Sequence, residues 1–98
     1  MKYDITKEGS KLFVTVEGEL DVRTSPEFEK ALMPALEGIT EAEIDLKELY
    51  YLSSAGLRVL LEATKIMDKQ GKMVVRNVTE DVMDILKVTG FDSLFTIE

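Results

Sequence analysis

The chain contains neither cysteine nor histidine in its 98 residues. These two absences exclude more chemistry than any other feature of the composition. Without cysteine there is no disulfide framework, no thiolate nucleophile and no zinc site of Cys/His type. Without histidine a Ser-His-Asp triad cannot form within the chain, nor can histidine-based general acid–base catalysis. Gly-rich phosphate loops are missing too: there is neither a Walker lysine motif nor G-x-G-x-x-G, so no nucleotide-binding signature is present. The 19 acidic residues leave a carboxylate site for magnesium or calcium open, but none has EF-hand spacing. No cofactor is expected.

Cationic charge is also scarce. Twelve Lys and Arg against 19 Asp and Glu give a formal net charge of −7. Such a balance argues against nucleic acid and against docking on anionic membranes, and favours a partner with a basic patch. No apolar run reaches transmembrane length, and Met1-Lys2-Tyr3-Asp4 opens without the apolar segment of a signal peptide. A cytoplasmic protein without membrane insertion is the expectation. The length suits one domain, residues 1–98, and 45% hydrophobic residues suffice for one core.

What is present reads as an α/β order. Residues 3–7 and 11–18 form two strands around the Glu8-Gly9-Ser10 turn; Leu12, Val14 and Val16 alternate with Phe13, Thr15 and Glu17. A polar connection through Asp21 leads to a helix that starts near Ser25-Pro26, carries Phe28, Ala31, Leu32, Ala35 and Leu36 on one face, and bends or ends early at Pro34. Gly38 closes it. Residues 41–46 form a short strand. A second helix spans about 55–70 with Leu57, Leu60, Leu61, Thr64 and Met67 as its apolar stripe and Gly71 as its C′ residue. Residues 72–77 are the next strand, Thr79 caps a third helix that ends at Gly90, and residues 94–97 are a last strand. The predicted order is β-β-α-β-α-β-α-β, a mostly parallel sheet with an N-terminal antiparallel hairpin.

The chemistry concentrates in the stretch from Leu46 to Leu61, which reads as a strand end, a tight connection bearing Ser53 and Ser54, and the start of the second helix. Ser53 or Ser54 fits the N-cap, which places a hydroxyl beside unpaired N–H groups and the positive end of the helix dipole. A plain cap is the simpler reading. The functional reading is a phosphoacceptor: a phosphate adds about −1.5 to −2 charges where the helix start tolerates them. Ala55 and Gly56 leave room for close approach. The lack of a histidine to take its proton and of the G-x-S-x-G elbow argues against a catalytic serine. Asp21 is either a solvated turn residue or a polar contact on the surface at the C-terminal ends of the strands, where partners are commonly met. Tyr50 and Tyr51 are core-edge aromatics or contact anchors. A hydrolase using Asp21, Asp45 or Glu48 is the enzymatic alternative, resting only on acidic composition.

Ile44-Asp45-Leu46 followed by Tyr51-Leu52-Ser53-Ser54-Ala55-Gly56-Leu57-Arg58-Val59-Leu60-Leu61 resembles the signature of STAS domains, specifically of bacterial anti-sigma factor antagonists. Gly18-Glu19-Leu20-Asp21 with Thr24 resembles that family's second motif. The resemblance implies a non-enzymatic regulator of transcription that binds an anti-sigma factor and so releases a sigma factor. It implies that the anti-sigma factor is also a serine kinase, which brings ATP and Mg²⁺ and phosphorylates the antagonist to break the complex. Aligned on Gly56-Leu57, the phosphoacceptor is Ser54, with Ser53 as the alternative hydroxyl because it stands where the family often has Asp. Asp21, Thr24, Ser53, Ser54, Ala55, Gly56 and Arg58 are then the expected partner-facing residues. The alternative within the same fold is a constitutive STAS interaction module of a signalling or transport assembly, without phosphorylation.

Overall fold

A computed structural model describes residues 1–98. Strands β1 (Lys2–Glu8) and β2 (Lys11–Leu20) pair antiparallel from Lys2↔Glu17 to Glu8↔Lys11. Helix α1 (Ser25–Ala35) follows, then β3 (Glu41–Asp45) and β4 (Leu49–Leu52), helix α2 (Ser54–Asp68), β5 (Lys72–Arg76) and helix α3 (Glu80–Thr89). The sheet runs β1-β2-β3-β5, with β3 parallel to both β2 and β5. The β-branched and leucine positions of β2 explain its placement: Leu12, Val14 and Val16 are buried while Phe13 and Thr15 face out. The alternation means that one face of the sheet carries the core and the other meets solvent. Phe28 and Leu32 from α1, Leu57, Leu60, Ala63 and Met67 from α2, and Val82 and Leu86 from α3 join that single apolar cluster.

The α/β class and the opening hairpin are as expected, and four details depart from the sequence reading. First, β2 extends to Leu20 and pairs its last residues, in parallel, with β4, a strand the sequence reading took for a connection. A register shift between Gly18 and Glu19 separates this pairing from the one with β3, so one strand serves two neighbours in succession. Leu49 and Leu52 are both buried with two exposed tyrosines between them, so β4 lacks the period of two. Second, the expected strand at 94–97 reduces to one parallel bridge, Val75↔Ile97, after a 3₁₀ turn over Phe91–Ser93. Only the N–H groups of Val75 and Glu98 contribute, donating to Thr96 and Val75 carbonyls at 2.8 and 3.0 Å.

Third, α2 starts one residue earlier and stops sooner than expected, and Gly71 is not a left-handed C′ residue. Its N–H and that of Gln70 close the last turn onto the Met67 carbonyl, at 2.7 and 2.9 Å. Gly71 is needed for close approach, since a Cβ there would collide with the Thr40 carbonyl. Fourth, α1 begins at Ser25 rather than Pro26 and ends at Ala35, one residue past Pro34. Gly38, beyond it, takes the φ of 76° that only glycine adopts freely. The end of α3 follows expectation: Gly90 has φ 79° and its N–H returns to the Lys87 carbonyl.

Candidate functional site

Two backbone bonds fix where α2 begins. The Ser53 N–H donates to the Leu20 carbonyl at 3.0 Å, and the Ser53 carbonyl accepts from Leu57 at 2.9 Å. Ser53 has extended backbone and its Oγ accepts from the Gly56 N–H at 3.4 Å, so Ser53 is the N-cap. Gly56 is buried against the end of β2; a Cβ there would lie 2.7 Å from both the Leu20 carbonyl oxygen and Leu52 Cδ1. The helix start is therefore held against the strand end by contact as well as by hydrogen bonds.

That arrangement separates the two serines. Ser53 is half-buried and occupied by capping, whereas Ser54, the first helical residue, is exposed. The Ser54 hydroxyl has no hydrogen-bond partner within the chain, stands beside N–H groups that lack helical acceptors, and α2 has no acidic residue in its first turn. Chemically, this is an accessible hydroxyl whose conversion to an anion leaves the cap untouched.

Asp21 is less free than the sequence reading allowed. Its Oδ1 accepts the N–H groups of Arg23 and Thr24 at 2.9 and 3.1 Å and lies 3.2 Å from the Thr24 hydroxyl. Thr24 Oγ1 in turn accepts the Asp21 N–H at 2.9 Å and lies 3.0 Å from the Glu19 carbonyl. The Thr24 and Arg23 N–H bonds hold the Asp21 carboxyl below its ordinary value against the opposing effect of burial. Asp21 and Thr24 thus shape the turn that leads from β2 into α1, and Thr24, though at the N-cap position, gives α1 no side-chain cap. The turn exposes Val22 at its tip (72%).

Between the first turns of α1 and α2 lies a notch of about 140 Å³, bordered by Val22, Ser25, Glu29, Ala55, Arg58 and Val59 among others. Ala55 and Arg58 belong to the expected site; Val22, Ser25 and Glu29 were missed, because nothing in one sequence says that α1 and α2 start side by side. The remaining acids do not assemble into a catalytic group. Asp45 Oδ1 accepts the Lys47 N–H at 2.9 Å, and Glu48 accepts the Tyr50 hydroxyl at 2.8 Å, a bond that raises the Tyr50 pKa. Asp45 and Glu48 border a separate shallow hollow with Glu17 and Lys47, away from the Asp21 turn. No group of three acidic residues could hold a metal ion. No helix is long and apolar enough to cross a membrane.

An open-faced mixed sheet, with helix α2 rising straight from a strand end and an exposed serine at its first position, defines a STAS fold. The family model described as "Mlab, STAS domain" matches residues 3–96, and the chain belongs to that family. It is 28% identical over 95 residues to the anti-sigma-B factor antagonist of Bacillus subtilis, spanning 96% of this chain and 87% of that protein. It superposes on an anti-sigma factor antagonist from Mycobacterium paratuberculosis with a TM-score of 0.86 at 24% identity, over 98% and 83% of the two chains. Unphosphorylated SpoIIAA, an anti-sigma factor antagonist, superposes with a TM-score of 0.84 at 14% identity, over 99% and 88%. The phosphorylated form of SpoIIAA gives 0.76 at 13% identity, over 99% and 91%.

Proposed function

We propose that the chain is a cytoplasmic anti-sigma factor antagonist switched off by phosphorylation of Ser54. The observation that carries the reading is the division of labour at the start of α2: Ser53 caps, and Ser54 is left exposed with a free hydroxyl. The kinship with named antagonists supports the partner class, and SpoIIAA, solved in both phosphorylated and unphosphorylated forms, has the same fold. The partner is an anti-sigma factor that is also a serine kinase. It supplies ATP and Mg²⁺; the γ-phosphoryl passes to Ser54 Oγ, the bond to ADP breaks, and the hydroxyl proton is released.

In the unmodified state the surface around Ser54, Ala55, Gly56 and Arg58, flanked by the Asp21–Thr24 turn, engages the partner and the sigma factor goes free. The phosphate adds about −1.5 to −2 charges at that surface. Like-charge or steric conflict at one interface position costs several kcal/mol, on the order of 10²–10³ in affinity, which suffices to dissociate the complex. The chain acts by binding and is itself the substrate.

The test is incubation with the cognate anti-sigma kinase and ATP–Mg²⁺, followed by mass mapping of the phosphate and a binding titration with Ser54→Asp. Phosphate on Ser54 and weakened binding are expected. Phosphate on Ser53 would transfer the role to the neighbouring hydroxyl. Full binding that is indifferent to ATP and to Ser54→Asp would leave a constitutive STAS interaction module instead.

A further inference from the structure

If Ser54 is the residue that carries the phosphate, as proposed above, the arrangement of charge on α2 bears on what receives it. The chain has three arginines. Arg23 reaches Asp21 at 3.7 Å, and Arg76 pairs with Glu43 at 2.6 Å and with Glu98 at 3.3 Å. Arg58 alone has no ion-pair partner, and it is exposed. It stands four residues after Ser54 in the same helix. Side chains on a helix tilt toward its N-terminus, so residues four apart stack on one face and the later one leans back over the earlier.

Few carboxylates compete for it. Glu62, the next residue along that face, pairs with Lys65 at 3.7 Å. Glu29, across the notch on α1, is outside ion-pair range of Arg58, and Asp21 is bound within its own turn. Ser25 also lines the notch, is only 2% exposed, and its Oγ is the one buried side-chain polar atom with no hydrogen-bond partner in the chain. Buried hydroxyls are ordinarily paired.

We infer that Arg58 is the internal counter-ion of phosphorylated Ser54. The phosphoryl oxygens take the guanidinium in a charge-assisted pair on the surface of α2, a geometry that arginine's planar fork serves better than lysine's point charge. The unmodified protein offers a partner a free guanidinium at this position. The modified protein offers a phosphate with that cation already engaged. Locally the charge passes from about +1 to between about −0.5 and −1, so one modification both withdraws a docking cation and installs an anion.

The test uses the full chain with phosphoserine installed at position 54 during translation, and follows the second ionisation of the phosphate by ³¹P NMR. A midpoint below the ordinary value of about 6 is expected for the parent protein. Arg58→Met is expected to raise it by roughly 0.15–0.4 of a pH unit, the size of an i,i+4 helix ion pair. Arg58→Lys should fall between, and Lys65→Met, on the same helix but beyond reach, should leave it unchanged. A midpoint that is the same with and without Arg58 overturns the inference. Circular dichroism reports whether each variant folds, and an exposed position makes folding the expected result. Because the phosphate is installed without a kinase, the titration stands apart from the labelling experiment. A kinase that never modifies Ser54 would remove the proposed switch without altering the measured coupling.

Discussion

Replacing Gly56 by Ala sets two opposed effects against each other, and the structure says which prevails. In a helix interior, Gly to Ala ordinarily stabilises by about 0.8–1 kcal/mol, because alanine has less backbone entropy to lose. Here the added methyl lies 2.7 Å from Leu52 Cδ1 and 2.7 Å from the Leu20 carbonyl oxygen. The leucine side chain can rotate away. The carbonyl cannot, since it is the acceptor for the Ser53 N–H at 3.0 Å, and relieving the clash means parting the start of α2 from the end of β2. Overpacking costs typically about 1–3 kcal/mol, and a clash against a backbone carbonyl that cannot give falls in the upper half of that range, about 2–3 kcal/mol. Less the propensity gain, the variant should lose about 1–2 kcal/mol. For a domain of this size that lowers Tm by roughly 4–16 °C, readable by circular dichroism on heating and by the urea midpoint. Partner affinity should fall with it, since Ser54 rides on the displaced turn. A Gly56→Ala protein as stable as the parent, or more so, would refute the account of why α2 starts where it does.

Ser53→Ala removes the cap and should cost about 1 kcal/mol, whereas Ser54→Ala should stay within about 0.5 kcal/mol of the parent while abolishing phosphorylation. Paired urea titrations of the two variants check both, and an equal loss from each would contradict the separation of roles. The Asp21 carboxyl is held below its ordinary value in the folded state, so its contribution is present above the unfolded pKa of about 3.9 and is lost as pH falls through the lower folded one. Asp21→Asn keeps one acceptor oxygen for the turn but not the charge. Its stability deficit should therefore be constant above about pH 5 and shrink below about pH 4, as urea midpoints across pH would show.

Much of this was legible from residues alone. The alternation of Leu12, Val14 and Val16, the broad stripe from Leu57 to Met67, and the Thr79 and Gly90 boundaries of α3 each encode one local preference that the packing respects. What escaped depends on pairing between distant segments. Leu49-Tyr50-Tyr51-Leu52 has no period of two, and its strand character comes from Gly18–Leu20 lying alongside. The reverse error at 94–97 has the same cause: apolar composition without a partner strand that accepts more than one bridge. At the site, spacing located the helix start but left two hydroxyls competing for the cap. The choice of Ser53 is made by the Leu20 carbonyl, which fixes its backbone, and Ser54 is exposed as a consequence. Asp21 was placed on the right turn, but its commitment to the Arg23 and Thr24 N–H groups follows from a backbone path that the residues G-E-L-D do not spell out.

The cap on one serine and the free hydroxyl on the next has a bearing on descent. A residue that both held the helix and received the signal could not be altered without risk to folding, and every change of regulation would be screened first for survival of the domain. Here the two demands fall on neighbouring codons. Under the proposed switch, exchange of Ser54 for alanine would yield a folded protein that can no longer be silenced, and exchange for a carboxylate one that is silent throughout. Regulation can accordingly be gained, lost or fixed in a lineage by single steps through fully folded intermediates, while Ser53 and Gly56 stay under the separate constraint of keeping α2 against the strand.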